Sequence, residues 1–457
     1  MDSLLHRNLT ASFAERFSTN PSVLDLHGRD ESSHPSRPPD AVVFVRSTEE
    51  VADVVRQAAA SKTAIVPFGV GTSLEGHTNA LNRGISIDLS QMDQVLEVNT
   101  EDMDCRVQAG VKRIELNESL RTTGLFFPID PGANATIGGM TATRASGTSA
   151  VKFGTMKDNV IGLTVVTASG EIIRTGGRAP KSSAGYDLTR LFVGSEGTLG
   201  VITEVQLKLA GQPEAISAAI CSFATVTDAA NTAIMVKQMG IPVARMELVD
   251  QASIKALNDH EDMDLRPADH LFFEFHGTDA GVKEQANLVG AIVEENNGSD
   301  FEWATQQEDR NRLWKARHNW YYALLQSRPG CRNIITDVCV PISQLAACID
   351  RLNADVHAHG LRAPVIGHVG DGNFHANFLI DPDDEDEATR AAEVSGRMVD
   401  HAISVGGTCT GEHGVGHGKI KYLEREHGPA AVSLMRTIKK ALDPDNIMNP
   451  GKVLNTD

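Results

Sequence analysis

Basic residues are in short supply. The chain carries 42 Lys and Arg against 60 Asp and Glu, a formal net charge of −18. That balance argues against nucleic acid and against an anionic membrane surface as partners, because both repel an acidic protein. No apolar run approaches the length that crosses a bilayer, and residues 1–20 lack a signal-peptide core. Arg7 and Arg16 among Ser and Thr give this stretch a transit-like flavour that Asp2 and Glu15 weaken. None of the six cysteines (Cys105, Cys221, Cys331, Cys339, Cys348, Cys409) forms a CxxC pair. Scattered thiols of this kind read as reduced and mostly buried, so a cytoplasmic location is expected. Peripheral attachment to the inner membrane and a mitochondrial location stay open. Aromatic residues are only 5% of the chain, whereas glycine numbers 40. Loops rich in glycine suit close approach to a large ligand.

The 457 residues allow two to three domains. Residues up to about Gly28 look helical. Ala41–Arg46 reads as a strand, Ser47–Glu50 as a helix start, and Val51, Val54, Val55 and Ala58 keep helical spacing. Ala64–Pro67 is a second strand, so the chain opens β-α-β. The loop that follows, through Pro67, Gly69, Val70, Gly71, Thr72 and Ser73, resembles a phosphate cradle built from backbone N–H groups. It is not the dinucleotide fingerprint, because Leu74 stands where a third glycine is needed, and a strand follows in place of a long helix. Phe127–Gly154 is long, low in charge and without periodicity, which suggests backbone wrapped around an extended ligand. Gly211–Pro213 is the best boundary. Beyond it strands and helices alternate as in an α+β domain with an antiparallel sheet. Phe301–Gln326 reads as one long helix, and Thr336–Pro341 as a strand.

The stretch with most chemistry is Val365–Asn377. It reads as strand, tight turn at Asp371, Gly372 and Asn373, and second strand, so His368 and His375 can meet. Two imidazoles are half of a transition-metal site. Glu412 and His413, between Gly411 and Gly414, could supply the rest. Two His and one carboxylate leave coordination positions open for substrate, as a catalytic metal requires. Spacing leaves His417 as an alternative ligand.

These motifs, in this order, resemble the flavin-linked D-2-hydroxy acid dehydrogenases of the vanillyl-alcohol-oxidase superfamily, nearest to the cytochrome-type D-lactate branch. The resemblance covers nearly the whole chain. It is carried by Gly69–Thr72, Pro131–Thr155, Gly194–Gly200, Trp314–Asn319, Thr336–Ser343, Gly367–His375, Thr410–Gly416 and Asn449–Lys452. It implies an α+β protein: a two-subdomain PCMH-type FAD-binding domain (1–212), an α+β substrate cap domain with an antiparallel sheet (213–425), and a segment returning to the FAD domain (426–457).

FAD is then the expected cofactor. Its expected contacts are Pro67, Gly69, Val70, Gly71, Thr72, Ser73, Pro131, Gly132, Thr136, Gly138, Gly139, Ala145, Ser146, Gly147, Gly154, Thr155, Glu196, Gly200, Ile202 and Asn449. The resemblance also places a divalent metal, Zn or Mn, on His368, His375 and Glu412. It gives His413 the role of base, Arg317 that of a clamp on the substrate carboxylate, and Asn377 a place near the metal. The implied partners are a small D-2-hydroxy acid and an electron acceptor (cytochrome, quinone or electron-transfer flavoprotein). A homodimer is compatible with this reading.

His77 follows the phosphate loop where relatives often have Gly. Some members of the superfamily attach FAD covalently through a His in this region, and His77 is expected instead as a surface-loop residue. Ile334, Ile335, Thr336 and Asp337 include no Lys for a second substrate carboxylate, which favours a monocarboxylate. Glycolate and D-2-hydroxyglutarate remain alternative substrates. Two other classes stay open: a metal-dependent hydrolase, and a non-catalytic flavin- or metal-binding module.

Overall fold

Val51, Val54, Val55 and Ala58 recur at helical spacing behind Ser47, and the computed structural model contains the helix they predict, Thr48–Ala60. Ser47 caps it by accepting from the Glu50 N–H at 3.2 Å. The Glu50 carboxylate does not close a capping box. It accepts from Arg46 N at 2.8 Å and from Arg16 Nη2 at 2.8 Å. Val51, Val54 and Val55 are fully buried, each such side chain contributing about 1.5–3 kcal/mol. The structure describes residues 2–260 and 263–455. These form two compact units.

Unit one comprises Met1–Ser146, Gly154–Gln212 and Glu412–Asp457. Its first sheet holds the β-α-β opening. Ala41–Phe44 and Ile65–Phe68 both pair in parallel with Ile85–Asp88, which lies between them. Phe17–Ser18 adds an antiparallel edge. The second sheet is antiparallel throughout, in the order Val95–Asn99, Asp104–Gln108, Val201–Lys208, Val160–Val166, Ile172–Gly176. Val107, Leu163, Val205 and Leu207 help form its core with Leu116, Phe127 and Phe192.

Unit two comprises Gly147–Phe153 and Pro213–Gly411. Its antiparallel sheet runs Ser299–Ala304, Ala215–Phe223, Asp269–Gly277, Val243–Val249, Val365–His368, Asn373–Ile380, Arg332–Ile335, and Val338–Cys339 also pairs with Asn373–Ile380. Leu313, Trp314, Trp320 and Leu324, from helix Gln307–Ser327, pack into a core with Ile220, Phe272 and Ile366.

Four local expectations change. Phe301–Ala304 belongs to a strand, and the helix starts only at Gln307. Phe301 and Trp303 are half-buried between exposed Asp300 and Glu302, which is strand alternation. Phe127–Gly154 is not one loop: Thr136 caps helix Ile137–Thr143, and Ala150–Phe153 is a further turn of helix. Glycine hid the first of these, but a Cβ at Gly138 would lie 2.6 Å from Ala109 Cβ, so the helix needs glycine there. Of the strand expected at Thr336–Pro341 only Val338–Cys339 forms, and a separate strand, Arg332–Ile335, precedes it. The N-terminal helix is broken between Phe13 and Pro21. The second domain was expected to extend to 425, whereas Glu412–Asp457 falls in unit one, where Val415, Gly416 and His417 bond to Glu196 and Glu75.

Candidate active site

In unit two the site starts from the register of the central hairpin. Ile366 lies opposite His375, and His368 opposite Asn373. Residues opposite each other in an antiparallel pair share a face, and so do residues two apart. His368, His375 and Asn377 therefore line one face. The two imidazole centroids are 5.5 Å apart.

Each ring is held through Nδ1. His368 Nδ1 lies 2.7 Å from Glu247 Oε1, and His375 Nδ1 lies 2.9 Å from the Thr336 carbonyl oxygen. With the proton on Nδ1 facing an acceptor, the lone pair of each neutral ring sits on Nε2, the tautomer a metal ligand needs. The donor chemistry of the pair fits a divalent transition ion. Asp337 supports the hairpin: Oδ1 accepts from Asn373 Nδ2 and Oδ2 from Thr410 Oγ1, each at 2.7 Å.

Arg317 is half-buried on helix Gln307–Ser327, and it meets a carboxylate of the protein itself. Glu247 Oε2 accepts from Arg317 Nη2 at 2.7 Å and from Nε at 3.2 Å. Glu247 is wholly buried. Burial pushes its carboxyl up, but His368 and Arg317 outweigh it and hold the group below the usual range. Sequence reasoning missed Glu247, because a lone Glu in an apolar strand carries no motif. Asn377 Oδ1 accepts from Asn333 Nδ2 at 2.9 Å, and Asn377 Nδ2, also buried, has no partner among the described residues. Ile335 stands opposite Asn377, so an apolar side chain shares that face.

Unit one gathers many of the expected cofactor residues. Gly69 approaches Thr136 so closely that a Cβ there would lie 2.4 Å from Thr136 Oγ1. Pro67 borders Gly197, and Asn449 Nδ2 donates to the carbonyl oxygens of Glu196 (2.7 Å) and His77 (3.2 Å). Helix Ile137–Thr143 is tied in, since Gly194 N and Glu196 N donate to Thr141 O and Ala142 O. Gly71 has φ +69, the left-handed turn that glycine permits. Among the described residues nothing accepts from the N–H groups of Gly69, Val70, Gly71, Thr72 or Ser73. A loop of undirected N–H groups fits a pyrophosphate.

Other expected contacts lie farther along the chain. Ala145 accepts from Met156 N (3.0 Å), just after Gly154 and Thr155, and Thr155 caps the short helix Met156–Asn159. Pro131 and Gly132 lie in irregular chain before Thr136, and a Cβ at Gly132 would meet nothing within 4 Å. Gly139 sits in the first turn of the helix, its N–H bonded to Thr136 Oγ1 at 3.3 Å. Ser146 ends one segment of unit one, and Gly147 begins the short segment of unit two. Gly200 and Ile202 are buried at the start of Val201–Lys208, Ile202 within the hydrophobic core.

Glu196 does more than line a loop. Its carboxylate accepts from Val415 N (2.6 Å) and Gly416 N (2.8 Å) and lies 3.2 Å from His77 Nε2. Burial pushes Glu196 up, while His77 and the two N–H groups hold it down. Burial lowers His77, and Glu196 more than restores it, so its pKa is raised. His77 is thus a buried partner of Glu196 and not the surface-loop residue expected. His417 is bound in unit one through Nε2 to Asn79 Oδ1 at 2.9 Å, and burial with neighbouring His34 lowers its pKa to about 4. Glu412 and His413 open this same stretch of unit one.

The family pattern described as "FAD linked oxidases, C-terminal domain" matches residues 212–453, and "FAD binding domain" matches 39–176. A Danio rerio protein named "Probable D-lactate dehydrogenase, mitochondrial" is 48% identical over 443 residues, covering 96% of this chain and 89% of the relative. The Arabidopsis thaliana "D-lactate dehydrogenase [cytochrome], mitochondrial" is 47% identical over 456 residues, covering 99% and 79%. A solved structure of p-cresol methylhydroxylase with substrate bound superposes with a TM-score of 0.79 over 99% of this chain and 97% of that one, at 16% identity, a likeness of fold alone. The expected cytoplasmic location finds no support in relatives whose names say mitochondrial. No described helix is long and apolar enough to cross a membrane.

Proposed function

The chain belongs to the FAD-linked oxidases, and from that premise we propose that it oxidises a small D-2-hydroxy acid, D-lactate foremost, to the 2-keto acid. The observation that carries this reading is the hairpin face on which His368, His375 and Asn377 stand together, with Glu247 linking His368 to Arg317. The relatives named for D-lactate supply the substrate class. The FAD-binding match over 39–176 speaks against a hydrolase without flavin.

Bound FAD supplies the hydride acceptor and the onward route for electrons. The loop Gly69–Ser73, with Thr136 and Asn449 nearby, would hold it. His368 and His375, with Glu412 as a hard oxygen ligand, would hold a Zn or Mn ion, whose charge lowers the pKa of a substrate hydroxyl. Arg317 gives Glu247 its Nε side, so a substrate carboxylate would meet the Nη1 and Nη2 end as a two-pronged acceptor. Asn377 Nδ2 offers a further donor. His413 would take the hydroxyl proton, since imidazole titrates near neutrality. Ile335, opposite Asn377, offers no charge to a second carboxylate.

Electrons would leave to a carrier protein or quinone, a cytochrome first among them by analogy with the Arabidopsis relative. We assign the protein to mitochondria on the same analogy. Anaerobic D-lactate should bleach the flavin absorbance of the purified protein, and kcat/KM for D-lactate should exceed that for D-2-hydroxyglutarate and glycolate. A colourless protein, or faster turnover of the diacid, would sink this reading.

A further inference from the structure

We propose that Glu247 is a positioning residue of this site: one buried carboxylate sets both the orientation of His368 and that of Arg317. The inference rests on the roles given above to those two residues. Leu248 pairs with Gly367 and Val249 with Ile366. One step along the same ladder sets Glu247 across from His368, on the face that carries His375. No loop has to fold for that contact, because strand register delivers it. Arg317 arrives from a helix, so the carboxylate ties together two strands and a helix that are distant in sequence.

The division of the carboxylate is specific. Oε1 accepts from His368 Nδ1 at 2.7 Å, and Oε2 accepts from the Arg317 fork at 2.7 and 3.2 Å. An ionised carboxylate accepts at both oxygens and donates at neither. A glutamine could serve one partner but would turn an NH₂ donor on the other. An aspartate is a methylene too short to reach both. A bond from a carboxylate to Nδ1 fixes the ring, keeps the lone pair on Nε2 and raises the basicity of the ligand. The bond to Nε and Nη2 fixes which edge of the guanidinium is presented. A buried ion pair is seldom more stabilising than apolar residues of the same volume. A purely structural pair would therefore tolerate replacement by Leu and Met without any effect on metal affinity.

The test compares Arg317→Met with the double variant Glu247→Leu/Arg317→Met, which leaves no unpaired buried charge. FAD-loaded proteins are stripped with a chelator and titrated with Zn²⁺ or Mn²⁺. The double variant should bind the ion about 10–100-fold more weakly than Arg317→Met, the usual effect of losing such a partner. Equal affinities overturn the inference. A wild-type protein that takes up neither ion instead overturns the assignment of His368 and His375 as ligands, and it does so before any substitution is compared. In Glu247→Gln alone, either metal affinity should fall or KM for D-lactate should rise about tenfold with a smaller change in kcat. No change in either constant also overturns the inference.

Discussion

Glu196 accepts the backbone N–H of Val415 at 2.6 Å and, through its other oxygen, that of Gly416 at 2.8 Å. One carboxylate thus holds the loop that begins with Glu412 and His413. The same carboxylate faces His77, so three groups depend on its charge.

Replacing that charge is the first prediction. Glu196→Gln keeps the volume but must turn an NH₂ toward one of the N–H donors. Breaking a buried, charge-assisted set of this kind costs about 3–5 kcal/mol. Thermal unfolding should show a large drop in Tm. An unchanged Tm would mean that the loop is held by something else.

The second prediction concerns FAD. Gly71 has φ +69, and a Cβ there would lie 3.1 Å from Phe68 Cζ. An L-residue in that conformation costs about 1–2 kcal/mol. Gly71→Val should distort the loop and yield colourless protein. Full FAD occupancy in this variant would remove the loop from the pyrophosphate site.

A third prediction separates Glu412 from His413. Glu412→Gln should lose metal, since an amide is a poorer ligand than a carboxylate. His413→Ala should keep FAD and metal yet reduce flavin about 10²–10⁴-fold more slowly, the usual worth of a general base. Metal analysis and anaerobic stopped-flow reduction read both. Metal-free His413→Ala would reverse the two roles.

Asp250 gives a pH-dependent prediction. It is buried and accepts from Ser253 N and Val365 N, both at 2.8 Å. Burial raises its pKa from 3.8 to about 6. The folded state therefore binds this proton more tightly than the unfolded chain. Its contribution to stability rises as pH falls from about 6 toward 4, and is absent at pH 8. Between pH 8 and pH 5 the wild type should gain about 1–2 kcal/mol relative to Asp250→Asn. Denaturant titrations at the two pH values measure this, and a stability difference that does not shift in favour of the wild type between pH 8 and pH 5 refutes it.

Elements whose signals are local are legible in the sequence. Val51, Val54, Val55 and Ala58 specify their helix by spacing. Asp371 and Gly372 mark the turn that lets His368 meet His375. Asn373, expected in the turn, already opens the second strand, and it is its register opposite His368 that puts both rings on one face. Glycine density marked the Gly69 loop. Where two local signals competed, the sequence misled: Phe301 and Trp303 alternate like a strand but precede a helical run, and glycines masked the helix after Thr136.

Tertiary structure decided the rest, because burial and long-range pairing leave no trace in a window of neighbours. His77 looks like a loop residue until Glu196, far along the chain, is placed against it. Arg317 looks like a surface cation or a free clamp until Glu247 takes its Nε side. Glu247 itself sits among apolar strand residues, and only the register of two strands, Val243–Val249 against Val365–His368, makes it the partner of a histidine 121 residues away.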